Sequence, residues 1–377
     1  MVAMGLLSSC GGPAGPAAVA SIPVAIHALD CTGTRWCVSA GGSTADGARL
    51  YATRAGEASW RSMPSGAIAL PSYVSAVSCS SPSRCVGVGE QPGPDSHLST
   101  TLVETWDGSR WRAAPPSHGR GSSFNGLLSV SCPASWCVAV GIAYAGGLIE
   151  SGDRGVWTVV ANPDSGGGNE NGVGSLSGVS CVSTSWCVAV GQGVGSKPVG
   201  MVVERWDGRQ WSLVAIRAPR TSPASHTTTL SGVFCASRTW CVAVGQAGES
   251  PLIEAWDGSN WTQVVLPAAS ARLFAAFNSV SCDGIDDCVA VGWYNASGGP
   301  APLAEYWDGR TWARVATPFA AGHAQGMMYT VTCSSKVSCL AGGEWFGVNP
   351  TTDNSVGASP LLERWSGGSW SIISPPR

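Results

Sequence analysis

Fourteen of the 15 cysteines in this 377-residue chain fall into seven close pairs, and no other feature restricts its fold so severely. The pairs are Cys31/Cys37, Cys79/Cys85, Cys132/Cys137, Cys181/Cys187, Cys235/Cys241, Cys282/Cys288 and Cys333/Cys339, with Cys10 left over. Between first cysteines the period is 48, 53, 49, 54, 47 and 51 residues, so the chain reads as seven repeated units. Six pairs are C-x5-C and the third is C-x4-C, wider than the C-x2-4-C hooks of zinc sites, and no histidine recurs beside them. The spacing favours disulfides over thiolate ligands or free thiols, and with them an oxidising compartment.

Each unit carries four short segments bounded by turn residues. In the fifth they are LSGVFC, WCVAVG, PLIEAWDG and NWTQVVLP, each of strand length. Gly 50 and Pro 24, without a sustained 3.6-residue pattern, weigh against helix, so the chain is expected to be all-β. A four-stranded sheet of this size cannot bury both faces alone, whereas copies stacked around an axis can. That predicts a seven-bladed β-propeller with four antiparallel strands per blade. Burial on both sides explains why the second segment reads VAVG and does not alternate apolar with polar. If the first cysteine of a pair ends one strand and the second begins the next, they face each other across a hairpin. Opposed Cα atoms there sit about 4.5–5.5 Å apart, inside disulfide range. One intrablade disulfide per blade follows, each a hairpin staple contributing about 2 kcal/mol on the chain-entropy estimate.

The glycine-ended VAVG segment followed by LIEAWDGSNW resembles the repeats of kelch and galactose-oxidase-like propellers over residues 22 to 375. The chain departs from that pattern where the usual Gly-Gly becomes Val244-Gly245. It is also similar to secreted bacterial repeat proteins of unknown activity. The resemblance implies the propeller fold more firmly than any activity. On this reading the propeller occupies 22–377, with repeats at approximately 22–66, 67–117, 118–165, 166–220, 221–270, 271–320 and 321–377. Residues 1–21 read as a partial lipoprotein-type signal and a Gly/Pro/Ala tether. LSSC makes Cys10 a lipidation candidate, although only nine residues precede it and none is Lys or Arg. Cleavage after AVA, before Ser21, is the alternative. The expected location is extracellular or at the cell surface, touching the membrane only through a lipid.

Charged residues make up 12% of the chain and the net charge is -3, which provides no basic surface for nucleic acid. Sixteen of the 18 tryptophans recur at three repeat positions and read as packing. Glu104, Glu150, Glu204, Glu254, Glu305 and Glu363 hold one equivalent position, where a hydrogen-bonded strand carboxylate is expected. Asp107, Asp207, Asp257 and Asp308 read as turn-formers. Asp283, Asp286 and Asp287 read as a solvated acidic turn, since no EF-hand pattern surrounds them.

Alternating strand direction puts the cysteine turns and the WDG turns on one face, and the remaining loops on the other. From the second cysteine to the repeated Glu position the separation runs from 13 residues to 24, so that second face varies and is where binding is expected. It carries the two unassigned tryptophans, in Trp293-Tyr294 and Trp345-Phe346, which read either as a stacking platform for a sugar or extended chain or as caps on the blade interface. His118, His226 and His323 lie in alternate blade-to-blade connections, and His97 in a variable loop; these complete the ligand-binding candidates. No G-x-S-x-G, H-E-x-x-H or Walker loop is present, and no catalytic residue, metal site or cofactor is expected. The sequence thus points to a monomeric, lipid-anchored, extracytoplasmic propeller that binds a carbohydrate or protein without chemistry. The alternatives are a secreted glycan-processing hydrolase or lyase and a cell-envelope scaffold.

Overall fold

The computed structural model describes residues 25–375 except 34–35, 44–46, 55–59, 65–71, 94–97, 116, 118–124, 145, 154, 164–173, 194–199, 220–227, 268–269, 271–272, 321–322 and 349–354. These residues form 28 strands in seven four-stranded sheets, each made of four consecutive strands. In blade 4, for example, Ser175–Ser183 pairs antiparallel with Trp186–Gly193, then Gly200–Trp206, then Trp211–Leu213. The expected seven-bladed propeller is therefore the fold of the chain. No helix among the described residues is long and apolar enough to cross a membrane.

All seven cysteine pairs are bonded within their own blades: Cys31–Cys37, Cys79–Cys85, Cys132–Cys137, Cys181–Cys187, Cys235–Cys241, Cys282–Cys288 and Cys333–Cys339. Their Cα atoms are 4.0–4.2 Å apart, closer than the expected hairpin spacing. Seven disulfides of this kind belong to an oxidising environment. Burial corrects the reading of these bridges as hairpin staples alone. The second cysteines, Cys37, Cys85, Cys137, Cys187, Cys241, Cys288 and Cys339, are each 0–4% exposed. Each belongs to the apolar cluster shared with the preceding blade; Cys241, for instance, packs among Val188 and Val190, and Cys37 beside Leu340. The second strand is covered on both sides, so a cysteine at its start is a core residue as well as half of a bridge.

The core lies between blades. Val188 and Val190 of blade 4 pack with Leu230, Leu252 and Trp261 of blade 5. Blade 1 closes on blade 7 by the same means, Ile26 and Leu29 meeting Leu340 and Leu362, and among the described residues no strand passes from one sheet to another. A polar belt adds to this packing. In five blades the residue before the first cysteine accepts a hydrogen bond from the first cysteine's N–H in the next blade. Ser78, Ser131, Ser180 and Ser281 do so at 3.0–3.1 Å, and Asp30 accepts at 2.6 Å from Cys79. Burial raises the Asp30 carboxyl to about 6, outweighing the backbone hydrogen bonds that favour its charged form. Phe234 interrupts the belt at the fifth blade.

The glycine of VAVG explains the shape of the innermost strands. A Cβ at Gly191 would lie 1.9 Å from the Ser175 carbonyl oxygen, and Gly89, Gly141, Gly245, Gly292 and Gly343 are crowded in the same way. The innermost strand passes this close because it is bulged there, and only a residue without a side chain accommodates the approach. The bulge skips one residue per blade, always the fourth before the first cysteine, and that residue lines the axis.

The WDG turns form as expected. Asp207 Oδ1 accepts from the Arg209 and Gln210 N–H groups at 2.8 and 2.9 Å, and Asp257 and Asp308 do the same in their turns. These bonds hold the carboxyls below their usual range. The following glycine takes a left-handed φ of 89–97° at Gly208, Gly258 and Gly309. Two expectations about acidic residues need correction. The repeated glutamates are fully buried, and both carboxylate oxygens of Glu104 and of Glu363 lack a hydrogen-bond partner among the described residues. They face the small residues of the second strand, Gly87 and Ala341, inside an apolar layer, so burial lifts them to about 7 and about 8. Nor is Asp287 a solvated turn residue. It is buried and accepts from the Tyr306 hydroxyl at 2.6 Å, while the Lys336 ammonium of blade 7 pairs with it at 2.9 Å.

Candidate functional site

The seven bulge residues are His27, Ser75, Leu128, Ser177, Ser231, Asn278 and Tyr329, and they line an axial cavity of about 200 Å³. Blades 2 to 5 contribute three serines and a leucine. Blades 6, 7 and 1 contribute Asn278, Tyr329 and His27, so the channel is small and uniform on one side and aromatic on the other. His27 stacks on Tyr329 at 5.0 Å between ring centroids and meets the edge of Tyr73 at 4.7 Å. The Tyr329 hydroxyl donates to Glu344 Oε1. Burial, followed by the hydrogen bond and charge of Glu344, holds the Tyr329 phenol well above its usual range. Burial, then the Glu344 and Glu90 carboxylates, does the same for Tyr73. Burial alone lowers His27 to about 4, so its imidazole is neutral at physiological pH.

His27 and Tyr73 stand at the beginnings of innermost strands, and Glu90 and Glu344 near the ends of second strands. All four therefore lie toward the variable face, opposite the cysteine turns. The cluster joins ring faces to phenolic donors, a neutral imidazole and carboxylate acceptors. Such a wall can stack on a ligand and hydrogen-bond its hydroxyl or amide groups. The sequence reading passed over His27, Tyr73 and Tyr329. Yet aligning the seven units on their first cysteine sets His27 and Tyr329 among serines at one position, and that departure is the available signal.

The structure separates the residues chosen from sequence. Trp345 is 2% exposed and packs on Phe319 and His323, with ring centroids 5.8 and 6.1 Å away. Its ring lies so close to Gly326 that a Cβ there would meet it at 2.6 Å. It therefore caps a blade interface, and the idea of an exposed Trp345 platform is corrected by that burial. Phe346 and His323 are half-buried, and His323 Nε2 is 3.5 Å from Ser359 Oγ. Trp293 is half-buried and meets Phe274 edge-on at 5.7 Å. Five residues past Cys288, it holds the position that Glu90 and Glu344 hold in blades 2 and 7, so it belongs to the same rim. Tyr294, half-buried, lies under the Arg314 guanidinium at 4.1 Å. His97, His118, His226 and Cys10 lie outside the described residues. Among the described residues no group of three or more His, Cys, Asp or Glu side chains could hold a metal ion.

No family model matches the chain, and no curated protein matches it. Solved structures match its fold. YCF48 from Cyanidioschyzon merolae aligns with a TM-score of 0.55 at 14% identity, over 91% of this chain and 96% of that one. A GH74 xyloglucanase from Xanthomonas campestris gives 0.54 at 13% identity, over 92% of this chain and 53% of the other. An ulvan lyase of a polysaccharide lyase family, bound to a GlcA(1-4)Rha3S unit, gives 0.52 at 8% identity, over 93% of each chain. At these identities the likeness concerns the fold alone.

Proposed function

We propose that the protein is an extracytoplasmic, non-catalytic propeller, anchored through a lipid at Cys10, that binds a carbohydrate or protein ligand on its variable face at the axial mouth. The observation that carries this reading is the breakdown of sevenfold equivalence there. Blades 2, 4 and 5 place a serine at the bulge, whereas blades 7, 1 and 2 join Tyr329, Glu344, His27 and Tyr73 in one network of contacts. Ligand recognition needs such asymmetry, which the repeat by itself does not provide. Trp293 extends the aromatic rim toward blade 6, Tyr294 follows it in sequence, and Phe346 stands in blade 7 on the same face. A glycan array followed by calorimetry tests the reading. Binding without turnover is expected, weakened by Tyr73→Ala and Trp293→Ala, and mass spectrometry of native protein should find lipid on Cys10. Unaltered affinity in both variants would discard the site.

A second reading, glycan processing, draws support from one local feature. The His27 imidazole stacked on the Tyr329 phenol sets two proton-transfer groups side by side. The xyloglucanase and the polysaccharide lyase place carbohydrate chemistry on the same fold. Chromatography of oligosaccharides after prolonged incubation separates the two readings, since cleavage lost in His27→Ala would favour this one.

A further inference from the structure

At four of the seven interfaces the tryptophan before a second cysteine packs with the WDG-segment tryptophan of the next blade. Trp36 and Trp106 share a cluster, as do Trp186 with Trp256 and Trp240 with Trp307, while Trp136 stacks on Trp206 at 6.3 Å. Both members are replaced at once where blade 7 meets blade 1, by Ser338 and Thr53, and between blades 2 and 3. Arg84 stands before Cys85, and Gly152 stands where the third strand of five other blades carries Trp. A cavity of about 580 Å³ opens there among the cysteine and WDG turns, on the face opposite the axial mouth. That volume lies within the roughly 300–1,000 Å³ of small-molecule sites.

The walls of this slot are two indoles and two ion pairs. Trp106 is half-buried, its Nε1 donating to the Pro82 carbonyl at 3.2 Å. Trp157 is 6% exposed, and its Nε1 is buried with no hydrogen-bond partner among the described residues. Arg84 Nη2 bonds Asp153 Oδ1 at 2.6 Å and the Ser135 carbonyl at 3.3 Å, and Arg112 Nε bonds Asp107 Oδ2 at 2.9 Å. Each pair fixes a planar donor beside a carboxylate, Asp107 Oδ1 also accepting from the Ser109 N–H and hydroxyl and from the Arg110 N–H. We propose that the slot between blades 2 and 3 is a saccharide-binding subsite, taking one pyranose ring against Trp106 and Trp157, with its hydroxyls bonded by Arg84, Asp153, Arg112 and Asp107. A pyranose has an apolar ring face for the indoles and edge hydroxyls that match donors and acceptors together. A partner's aromatic side chain would fill the volume but leave two charged pairs desolvated with little to bond. The subsite stands independently of whatever occupies the axial mouth.

Saturation-transfer NMR and tryptophan fluorescence with methyl glycosides of glucose, galactose, mannose, N-acetylglucosamine and glucuronic acid test it. At least one glycoside is expected to bind the wild type. Arg84→Trp, which restores the residue four other blades carry and fills the slot, is expected to weaken that binding at least about tenfold. Asp153→Asn, which keeps the shape and removes an acceptor's charge, is also expected to weaken it, whereas Val265→Ala, at an exposed position of blade 5 outside both cavities, leaves it unchanged. The proposal is overturned if no glycoside binds, if both Arg84→Trp and Asp153→Asn bind as wild type does, or if N-acetyltryptophanamide binds in place of every glycoside.

Discussion

Glu363 should make this protein less stable as pH rises through neutrality, and Glu363→Gln should remove that dependence. The side chain is fully buried, opposite Ala341 and Ile372, and neither oxygen has a partner among the described residues. Burial lifts its pKa from 4.5 to about 8. Below the unfolded value both states carry the proton, and the group's ionisation has no effect. Between 4.5 and about 8 the unfolded chain releases the proton while the folded one retains it, so stability falls by about 1.4 kcal/mol per pH unit. Above that window the loss is complete, at about 5 kcal/mol. The glutamine amide leaves a buried donor unpaired, which costs about 1–3 kcal/mol at every pH, so the slope and not the offset is the observable. Urea unfolding with disulfides intact, from about pH 4.5 to 8.5, should show the variant gaining about 5 kcal/mol on the wild type across the series. Parallel pH profiles would refute the reasoning. Glu104 and Glu254, both raised to about 7 by burial, should add slopes of the same sign.

Three further outcomes follow from the packing. Gly191→Ala should lower the urea midpoint, with a loss of at least about 2 kcal/mol, because its Cβ would collide with the Ser175 carbonyl; an unchanged midpoint would mean the bulge is not forced. Trp345→Ala should cost about 3–5 kcal/mol in thermal or urea melts, whereas half-buried Trp293 should cost less and act mainly on ligand affinity. Alkylation of denatured, unreduced protein should find none of the fourteen paired cysteines reactive, and Cys181→Ala with Cys187→Ala should remove about 2 kcal/mol.

The cysteine period and the four segments per unit made the blades, the hairpin disulfides and the plain and variable faces legible before any coordinates. They were legible because each is a repeated local requirement: a turn needs Asp and a left-handed Gly, and a doubly covered strand needs VAVG. The bulge was not legible. Gly191 could be read as a small residue in a crowded sheet, but that the innermost strand slips by one residue beside it depends on how two strands meet. Without the slip, His27 and Tyr329 look like ordinary inner-strand residues. The burial of Cys241 and its counterparts against the preceding blade, and the protonation state of the glutamates, were hidden for a related reason. A carboxylate in a strand ahead of a recurrent Trp reads as bonded, and only the burial of Glu363 against Ala341 and of Glu104 against Gly87 reveals that neither has a partner among the described residues.

A repeat protein separates packing from recognition in a way a single-copy fold does not. What every blade repeats must satisfy every interface, so it is set by closure of the ring: the disulfide, the interblade tryptophans, the belt of serines. A ligand occupies one place and can select only what one or two blades hold alone. By that criterion two places stand out, and they lie on opposite faces. At the axial mouth His27, Tyr329 and Glu344 replace small or neutral residues, and between blades 2 and 3 Arg84 and Gly152 replace two tryptophans at once. The second replacement opens a cavity in an interface that four others fill with paired tryptophans. Loss of such burial costs stability, and at this interface two ion pairs of partly exposed groups, each of small worth, do not restore it. An unfilled gap beside a buried, unbonded indole N–H is a poor solution for closing a ring, and a sound one for holding a sugar.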